Sequence, residues 1–491
     1  MKNHTIVIGA GPAGLTAAYE LSKQGIQPTV LEGANKVGGI SRTETYKGYR
    51  FDIGGHRFFT KITDVQRIWK EILGDEFIQV PRLSRIYYRN KFFNYPLSIP
   101  NTLKNLGLVD SALIGLSYLK ALVPSKLQPR EAENFEDWVS DRFGKRLYRT
   151  FFKTYTEKVW GMPCSEIQAE WAAQRIKGLS LRKAVTDAIF GSSDAKTLIK
   201  EFDYPLYGPG MMWERCTEII EANGSQVHME TRVTRVEHQD HRITKIIAQR
   251  GDKTLELEAD QVISSMPVTL LARCMDPPAP EAVLTASRSL KYRDFLIVSL
   301  IVDQADLFPD NWIYIHSPEF KVGRIQNFKN WSPAMVPDAS KTCLGMEYFC
   351  SEGDEIWAMD DQALIALASR EIAGLGLMAQ GVQVEDGTVI RQRKAYPVYD
   401  ATYKDNLETI RSYLATFENL QTVGRNGMHR YNNQDHSMMS GLLAARNLLG
   451  GSHDLWNINT EKSYHEDYSR EEWNRQQQDL SPAEKAAAIA L

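Results

Sequence analysis

The sequence has almost no excess of charge of either sign. Its 491 residues hold 58 Lys and Arg against 61 Asp and Glu, a formal net charge of −3. That balance excludes a nucleic-acid binder acting through bulk positive charge. Long apolar runs are also missing. The most apolar stretch, 106–123, is broken by Asp110, Ser111, Ser117 and Lys120, so no membrane span is expected. Cysteine is scarce: Cys164, Cys216, Cys274, Cys343 and Cys350 are scattered, with no C-x-x-C pair. This excludes a disulfide framework or a thiolate zinc site and fits reduced thiols in a cytoplasmic protein. The 10 histidines form no H-E-x-x-H or comparable spacing, so no metal is expected. No internal repeat is present, and the first strand starts so near residue 1 that no leader peptide is expected.

What is present begins with "TIVIGAGPAGLTAAYELSKQGIQPTVLEG". Ile6, Val7 and Ile8 form a short apolar strand, Gly9, Gly11 and Gly14 follow at G-x-G-x-x-G spacing around Pro12 and Ala13, and 15–23 reads as a helix. The first glycine permits the tight turn, the second a close approach to pyrophosphate, and the third tight packing of helix on strand. The phosphates would lie on the helix N-terminus. A second strand over 28–31 ends at Glu32, 18 residues after Gly14, where a carboxylate can hold ribose hydroxyls. The pattern predicts a dinucleotide site.

The order of elements predicts an α/β fold with a discontinuous Rossmann-like FAD-binding domain made of 1–80, 203–275 and 420–452. A helical domain is inserted at 100–202, a mixed or antiparallel sheet-rich substrate domain takes 81–99 and 276–419, and a helical extension follows over 453–491. "SRIYYRNKFFNYPL" reads as a hairpin, and Phe135, Trp138, Val139, Phe143, Leu147 and Phe151 recur near helical spacing. Helices are also expected over 404–417 and in "DHSMMSGLLAARNLLGG". The glycine turn, "SSMP" near 265 and "VGR" near 424 are expected to meet in space. Contacts from such separated segments favour the long FAD molecule over NAD.

"GAGPAGLTAAYEL", Glu32 and "VGGISRTETYKGYRFDIGGHRFF" together resemble the FAD-binding front half of the amine-oxidase and protoporphyrinogen-oxidase-like flavoproteins. Three further stretches narrow the likeness: "RLYRTFFKTYTEKVWGMPCSEIQAEWAAQRIKG", "NWIYIHSPEFKVGRIQNFKNWSP" and "VGRNGMHRYNNQDHSMMSGLLAARNLL" are similar to segments of the eukaryotic-type UDP-galactopyranose mutases, the last through N-Q-D-H-S. The resemblance runs in order over nearly the whole chain.

The resemblance implies an enzyme of cell-surface polysaccharide biosynthesis that interconverts pyranose and furanose forms of a nucleotide sugar, with reduced FAD N5 attacking the anomeric carbon and NAD(P)H a candidate reductant. It implies that Arg175 and Arg324 hold the substrate diphosphate with Tyr314, Tyr396 and Tyr431, since guanidinium makes forked bonds to phosphate oxygens and phenols add rigid donors. Trp331 stands where the family has a tyrosine, and it offers one N–H but no hydroxyl. His56 and Arg425 are implied beside the flavin as catalytic groups with Arg175 and Arg324, and Asn433 beside both flavin and sugar. Gly38, Gly39, Ser41, Arg42, Gly55, Val233, Gly424, Gln434 and Ser437 complete the implied FAD contacts, with "YPLYGPGMMWE" as a covering turn. Two departures, a two-residue shortening between Arg425 and Tyr431 and Asn426 in place of phenylalanine, leave the sugar open. The rivals are an FAD-dependent oxidase or desaturase, sharing the same front half, and a flavin-stabilised binding protein. Oligomeric state is open.

Overall fold

A computed structural model describes residues 4–95, 97, 99–127, 132–169 and 201–458. Arg175, the rest of the expected helical stretch to 200 and the end of the C-terminal extension lie outside the described residues.

The chain is an α/β protein in which separated segments share one parallel sheet. Its strand order is Leu420–Thr422, Gln261–Ser264, Thr5–Ile8, Thr29–Leu31 and Gln226–His228. Every pairing in it is parallel. Parallel strands covered on both faces read as continuous apolar runs, and all of Thr5–Ile8 is buried. The helices Pro12–Lys23 and Gln434–Leu448 cover one side so closely that a Cβ on Gly441 would lie 2.0 Å from the Ala13 carbonyl oxygen. The first helix starts at Pro12 rather than residue 15, because proline suits a first helical turn. Leu15, Leu21, Trp69, Trp213, Met438 and Leu442 belong to one core beneath these helices.

The second large sheet has seven strands in the order Val384–Pro397, Tyr292–Val302, Thr342–Cys350, Arg324–Asn327, Trp312–Ile315, Ser84–Tyr88 and Lys91–Asn94. It is antiparallel except where Ser84–Tyr88 runs parallel to Trp312–Ile315. Arg89 and Asn90, at φ 49° and 59°, make the tight hairpin turn that the sequence predicts. A smaller sheet of Arg232–Gln239, Arg242–Arg250, Lys253–Glu258 and Met275–Asp276 flanks the parallel one.

The helical spacing across 135–151 is carried by several successive helical segments. Phe135–Phe143 ends at Gly144, after which come Lys145–Leu147, a wide turn of helix over Tyr148–Lys153, and Thr154–Trp160. The cause is the crossing helix Leu108–Leu127: a Cβ on Gly144 would sit 2.8 Å from the Ser117 backbone, so the two chains meet where only glycine fits. The helix expected over 404–417 spans Tyr403–Leu414. Among the described residues no helix is long and apolar enough to cross a membrane, and no group of three or more His, Cys, Asp or Glu could hold a metal.

Candidate functional site

The Thr5–Ile8 strand delivers the chain into Gly9, at φ +99°, whose N–H donates to the Leu31 carbonyl at 2.8 Å. A Cβ on Gly14 would lie 1.9 Å from the Gly9 carbonyl oxygen, so that glycine is fixed by the turn itself. Gly11 is different: the nearest atom to a Cβ there is the Gly39 Cα, 3.8 Å away. Its glycine is therefore not demanded by the protein's own packing. Gly11 is also the N-cap of Pro12–Lys23 and makes no side-chain cap, which leaves that helix's first amides for an anion.

Glu32 is fixed by two backbone donors, Ala10 N–H at 2.7 Å and Ala34 N–H at 2.8 Å, one to each carboxylate oxygen. Its carbonyl accepts from Thr231 N–H at 2.7 Å, which sets Val233 and its strand beside the same end of the site. The Gly38–Gly39–Ser41 loop is tied to the glycine turn by a Gly38 N–H bond to the Ala10 carbonyl at 2.8 Å. Arg42 is held by Glu44 at 2.7 Å and by the Gly39 carbonyl and Gln392 at 2.8 Å each. Gly424 donates its N–H to Ser440 Oγ at 2.8 Å and packs on Ala13. Gln434, at the start of the last core helix, has a buried Nε2 with no hydrogen-bond partner among the described residues. An uncapped helix for pyrophosphate, a fixed carboxylate for ribose and an orphaned amide donor fit a flavin dinucleotide.

The covering turn after Tyr204 is anchored through Asp52. Its carboxylate accepts from Tyr204 Oη and from Thr43 Oγ at 2.7 Å, and burial raises it to about 7 despite those donors.

A second group of side chains gathers where the seven-stranded sheet meets this turn. Cross-strand register sets Tyr314 opposite Arg324, and Arg324 opposite Glu347. Arg324 donates Nε at 2.7 Å and Nη2 at 2.6 Å to one Glu347 oxygen, while Gln326 donates to the other at 2.7 Å. Burial opposes charge on Arg324, but Glu347 outweighs it and raises the guanidinium above its ordinary value. Gly54 and Gly55 run against this pair, with the Gln326 amide 2.9 Å from where a Gly55 Cβ would be. The loop then presents His56, whose Nε2 bonds the Ile53 carbonyl at 2.9 Å. A carbonyl can only accept, so Nε2 carries the proton. Burial, with Arg324 and Arg425 adding repulsion, depresses His56 to about 4, so the ring is neutral at neutral pH.

Arg425 lies 4.0 Å from the Tyr431 ring centre and 4.9 Å from that of Tyr396. The two rings are stacked at 5.8 Å and 20°. Trp160 closes the aromatic group at 6.3 and 6.2 Å from them. Nη1 of Arg425 donates to the Asn432 carbonyl at 3.1 Å, whereas Nε and Nη2 are buried with no hydrogen bond among the described residues. Burial, then Tyr431, raise the Tyr396 phenol. Two guanidiniums against one carboxylate leave the group net cationic, which suits an anionic ligand.

Several expected site residues thus come together: His56, Tyr314, Arg324, Tyr396, Arg425 and Tyr431. Trp331 does not join them, and its assignment to substrate is corrected. It is 2% exposed, donates Nε1 to the Asn311 carbonyl at 2.8 Å, and packs among Phe202, Tyr204 and Trp312, so its one donor is used. Asn433 is the N-cap of Gln434–Leu448, its side chain accepting from the His436 amide while His436 Nδ1 accepts from Asn433 N–H at 3.3 Å. Ser437 is buried and bonds back to the Asn433 carbonyl at 3.0 Å.

Two members of the group were not expected. Tyr155 meets Tyr314 edge-on at 5.6 Å and stacks on His316 at 4.7 Å, and burial raises its phenol well above the ordinary range. Glu347 is the other. A lone carboxylate in the wholly buried strand "TCLGMEYFC" was the available signal, since such a charge needs a partner.

The model of the family described as flavin containing amine oxidoreductase matches residues 12–404. The L-amino acid oxidase Cdc18 of Crotalus durissus cumanensis is 28% identical over 313 residues, 59% of this chain and 58% of that protein. A Klebsiella pneumoniae protein named "Probable UDP-galactopyranose mutase" is 27% identical over 175 residues, 34% of this chain and 44% of that one. The chain thus spans 58% and 44% of the length of these two relatives. The crystal structure of a reduced UDP-galactopyranose mutase superposes with a TM-score of 0.82 at 20% identity, covering 94% of this chain and 98% of that one. Putrescine oxidase bound to putrescine superposes at 0.58 and 17% identity, over 92% and 100%. At these identities the likeness is one of fold.

Proposed function

The chain belongs to the family of flavin-containing amine oxidoreductases, and from that premise we propose that it is an FAD-dependent sugar-nucleotide mutase. It interconverts pyranose and furanose forms of a nucleotide hexose such as UDP-galactopyranose. The observation behind this reading is Arg425, held against Tyr396 and Tyr431 with two N–H-bearing nitrogens unpartnered among the described residues, and with Arg324 acting on the same Tyr396. Forked donors beside phenols match a diphosphate better than an apolar substrate.

FAD, reduced with NAD(P)H as its electron source, supplies a nucleophilic nitrogen for the anomeric carbon. Gly11, the first turn after Pro12, Glu32, Ser41, Arg42, Val233 and Gln434 hold that cofactor. Arg425 and Arg324, with Tyr314, Tyr396 and Tyr431 and with Arg175 beyond the described residues, grip the leaving diphosphate so that its return is effectively intramolecular. Such positioning is worth up to roughly 7–11 kcal/mol. Neutral His56 adds no positive charge of its own, so it neither repels the arginines nor shares the diphosphate's charge with them. The thiols Cys164, Cys216, Cys274, Cys343 and Cys350 are all free, in keeping with a cytoplasmic setting.

A second reading is an amino-acid oxidase, favoured by the relative 28% identical over 313 residues. There Arg425 would hold the substrate carboxylate and the Tyr396, Tyr431 and Trp160 rings would flank its amine. One preparation separates the two. Protein reduced with dithionite under nitrogen is given UDP-galactofuranose and UDP-galactopyranose is followed by chromatography; oxidised protein in air is given L-amino acids and hydrogen peroxide is followed. Conversion by the reduced sample alone supports the mutase. Peroxide without conversion, across UDP- and dTDP-hexoses, overturns it.

A further inference from the structure

The helix Leu108–Leu127 leaves its outer side uncovered. Leu108 is 89% exposed, Val109 75%, Leu116 62% and Leu119 59%. Leu116 lies two turns beyond Leu108 and Val109, and Leu119 one turn further, so the four fall within about 100° of one side of the helix. The opposite side is anchored: Ile114 packs towards the Trp138 and Tyr148 core, and Ser117 Oγ accepts the Arg146 N–H at 3.1 Å. An apolar stripe of this length on a fixed helix is an interaction surface rather than scattered exposure.

A groove of about 510 Å³ lies along the anchored flank of the helix, lined there by Asp110, Leu113, Ile114 and Ser117, with half-exposed Leu113 between it and the stripe. Four cations line it, Arg89, Lys145, Arg146 and Arg149, against one carboxylate, Asp110. Asp110 is shared by Arg146 at 2.6 Å and Arg89 at 3.7 Å. Lys145 and Arg149 are exposed and make no ion pair among the described residues. Lys104 and Lys120 add exposed charge near the two ends of the stripe.

We propose that this face docks on the surface of an anionic phospholipid membrane, with headgroup phosphates in the Arg89–Arg149 groove and the Leu108–Leu119 stripe at the acyl boundary. An apolar helical face bordered by lysine and arginine is the pattern of a helix that lies in the interface without spanning it. The charge selects the partner. A second copy of the chain would bring the same cations towards one another, whereas anionic headgroups neutralise them. The inference is independent of which reaction the flavin site performs.

Flotation of the full-length, flavin-loaded protein tests it, with vesicles of phosphatidylglycerol mixed into phosphatidylcholine against vesicles of phosphatidylcholine alone. The expected result is capture by the anionic vesicles only, fading as salt is raised. Leu116→Glu with Leu119→Glu should cut the captured fraction roughly tenfold. Lys145→Glu with Arg149→Glu should do the same, and both variants should keep their flavin and melting temperature because the altered side chains are exposed. Equal capture by neutral vesicles, no capture, or capture indifferent to both variants would overturn the proposal. So would a leucine variant that changes a dimer to a monomer while vesicles bind neither form, which would assign the stripe to a second copy.

Discussion

Arg324 and Glu347 face each other across adjacent antiparallel strands, two guanidinium nitrogens within 2.7 Å of one carboxylate oxygen that is wholly removed from solvent. Gln326 occupies the other oxygen, so the carboxylate has charged or polar partners on both sides. The pair fixes the orientation of the guanidinium in the sheet through its Nε and Nη2.

Breaking such a pair from one side strands a buried charge. Glu347→Gln should therefore destabilise the fold by about 3–5 kcal/mol, and Arg324→Met by a similar amount. The double variant Arg324→Met, Glu347→Leu should lose less than the sum of the two, since no charge is left unpaired. Urea unfolding of the four proteins reads the coupling. Additive losses would mean that the two groups act separately.

The glycine turn gives a prediction that separates folding from cofactor binding. Gly14→Ala meets the Gly9 carbonyl at 1.9 Å and should impair the turn itself, lowering the melting temperature of apoprotein and holoprotein alike. Gly11→Ala meets nothing closer than 3.8 Å, so the apoprotein should melt as the parent does. A methyl group there would still stand where pyrophosphate must approach. Loss of bound flavin fluorescence without loss of apoprotein stability is the expected signature. Full flavin retention by Gly11→Ala would remove that turn from the binding site.

These contrasts show which features the sequence made legible. Gly9, Gly14 and Glu32 were readable because turn sterics and a ribose contact dictate residue type at fixed spacing. The shared parallel sheet was readable from short Val- and Ile-rich runs bounded by turns. Trp331 was misread because an aromatic residue near other aromatics has the same local pattern whether it faces a ligand or a core. Only the neighbouring Phe202, from a distant strand, decides between the two. Tyr155 was overlooked because it sits in a helix whose apolar spacing accounts for every ring, and the partner that gives it a role, Tyr314, is remote in sequence. The break at Gly144 depends on a crossing helix that no local window contains.

Buried neutral histidines set the acid limit of the fold. His56 and His429 lie at about 4 and His316 at about 3, each depressed chiefly by burial from an ordinary value of 6.5. The unfolded chain takes up protons below 6.5 and the folded chain resists until near 4, so stability is complete above pH 6.5 and falls as pH drops through that window. Down to pH 4 each ring contributes about 3 kcal/mol to that loss, and His316 goes on contributing below it. Buried Asp52, raised to about 7, gains stability over the same window and offsets about one ring. Urea midpoints measured from pH 7.5 to pH 4.5 should therefore still fall, and His56→Asn should flatten the slope by roughly half. An unchanged slope in that variant would place His56 in contact with water.

Arg425 tests the pocket directly. Its guanidinium is planar, lies against Tyr431 at 4.0 Å and Tyr396 at 4.9 Å, and keeps two nitrogens without a hydrogen bond among the described residues. Lysine keeps the charge but can neither stack in the same way nor present a fork of donors. One charge-assisted hydrogen bond would be missing and the phosphate oxygen it serves would stand unpaired. Arg425→Lys should therefore lower kcat/KM for the nucleotide sugar by roughly 10–100-fold, mostly through KM. Tyr396→Phe retains the ring that Arg425 rests on and loses only a hydroxyl donor, so its effect should be smaller, about tenfold. Flavin content should be unchanged in both. If Arg425→Lys instead released flavin while leaving the KM of the remaining holoprotein untouched, the free nitrogens would belong to the cofactor's phosphates and the substrate diphosphate would rest on Arg324 and the phenols alone.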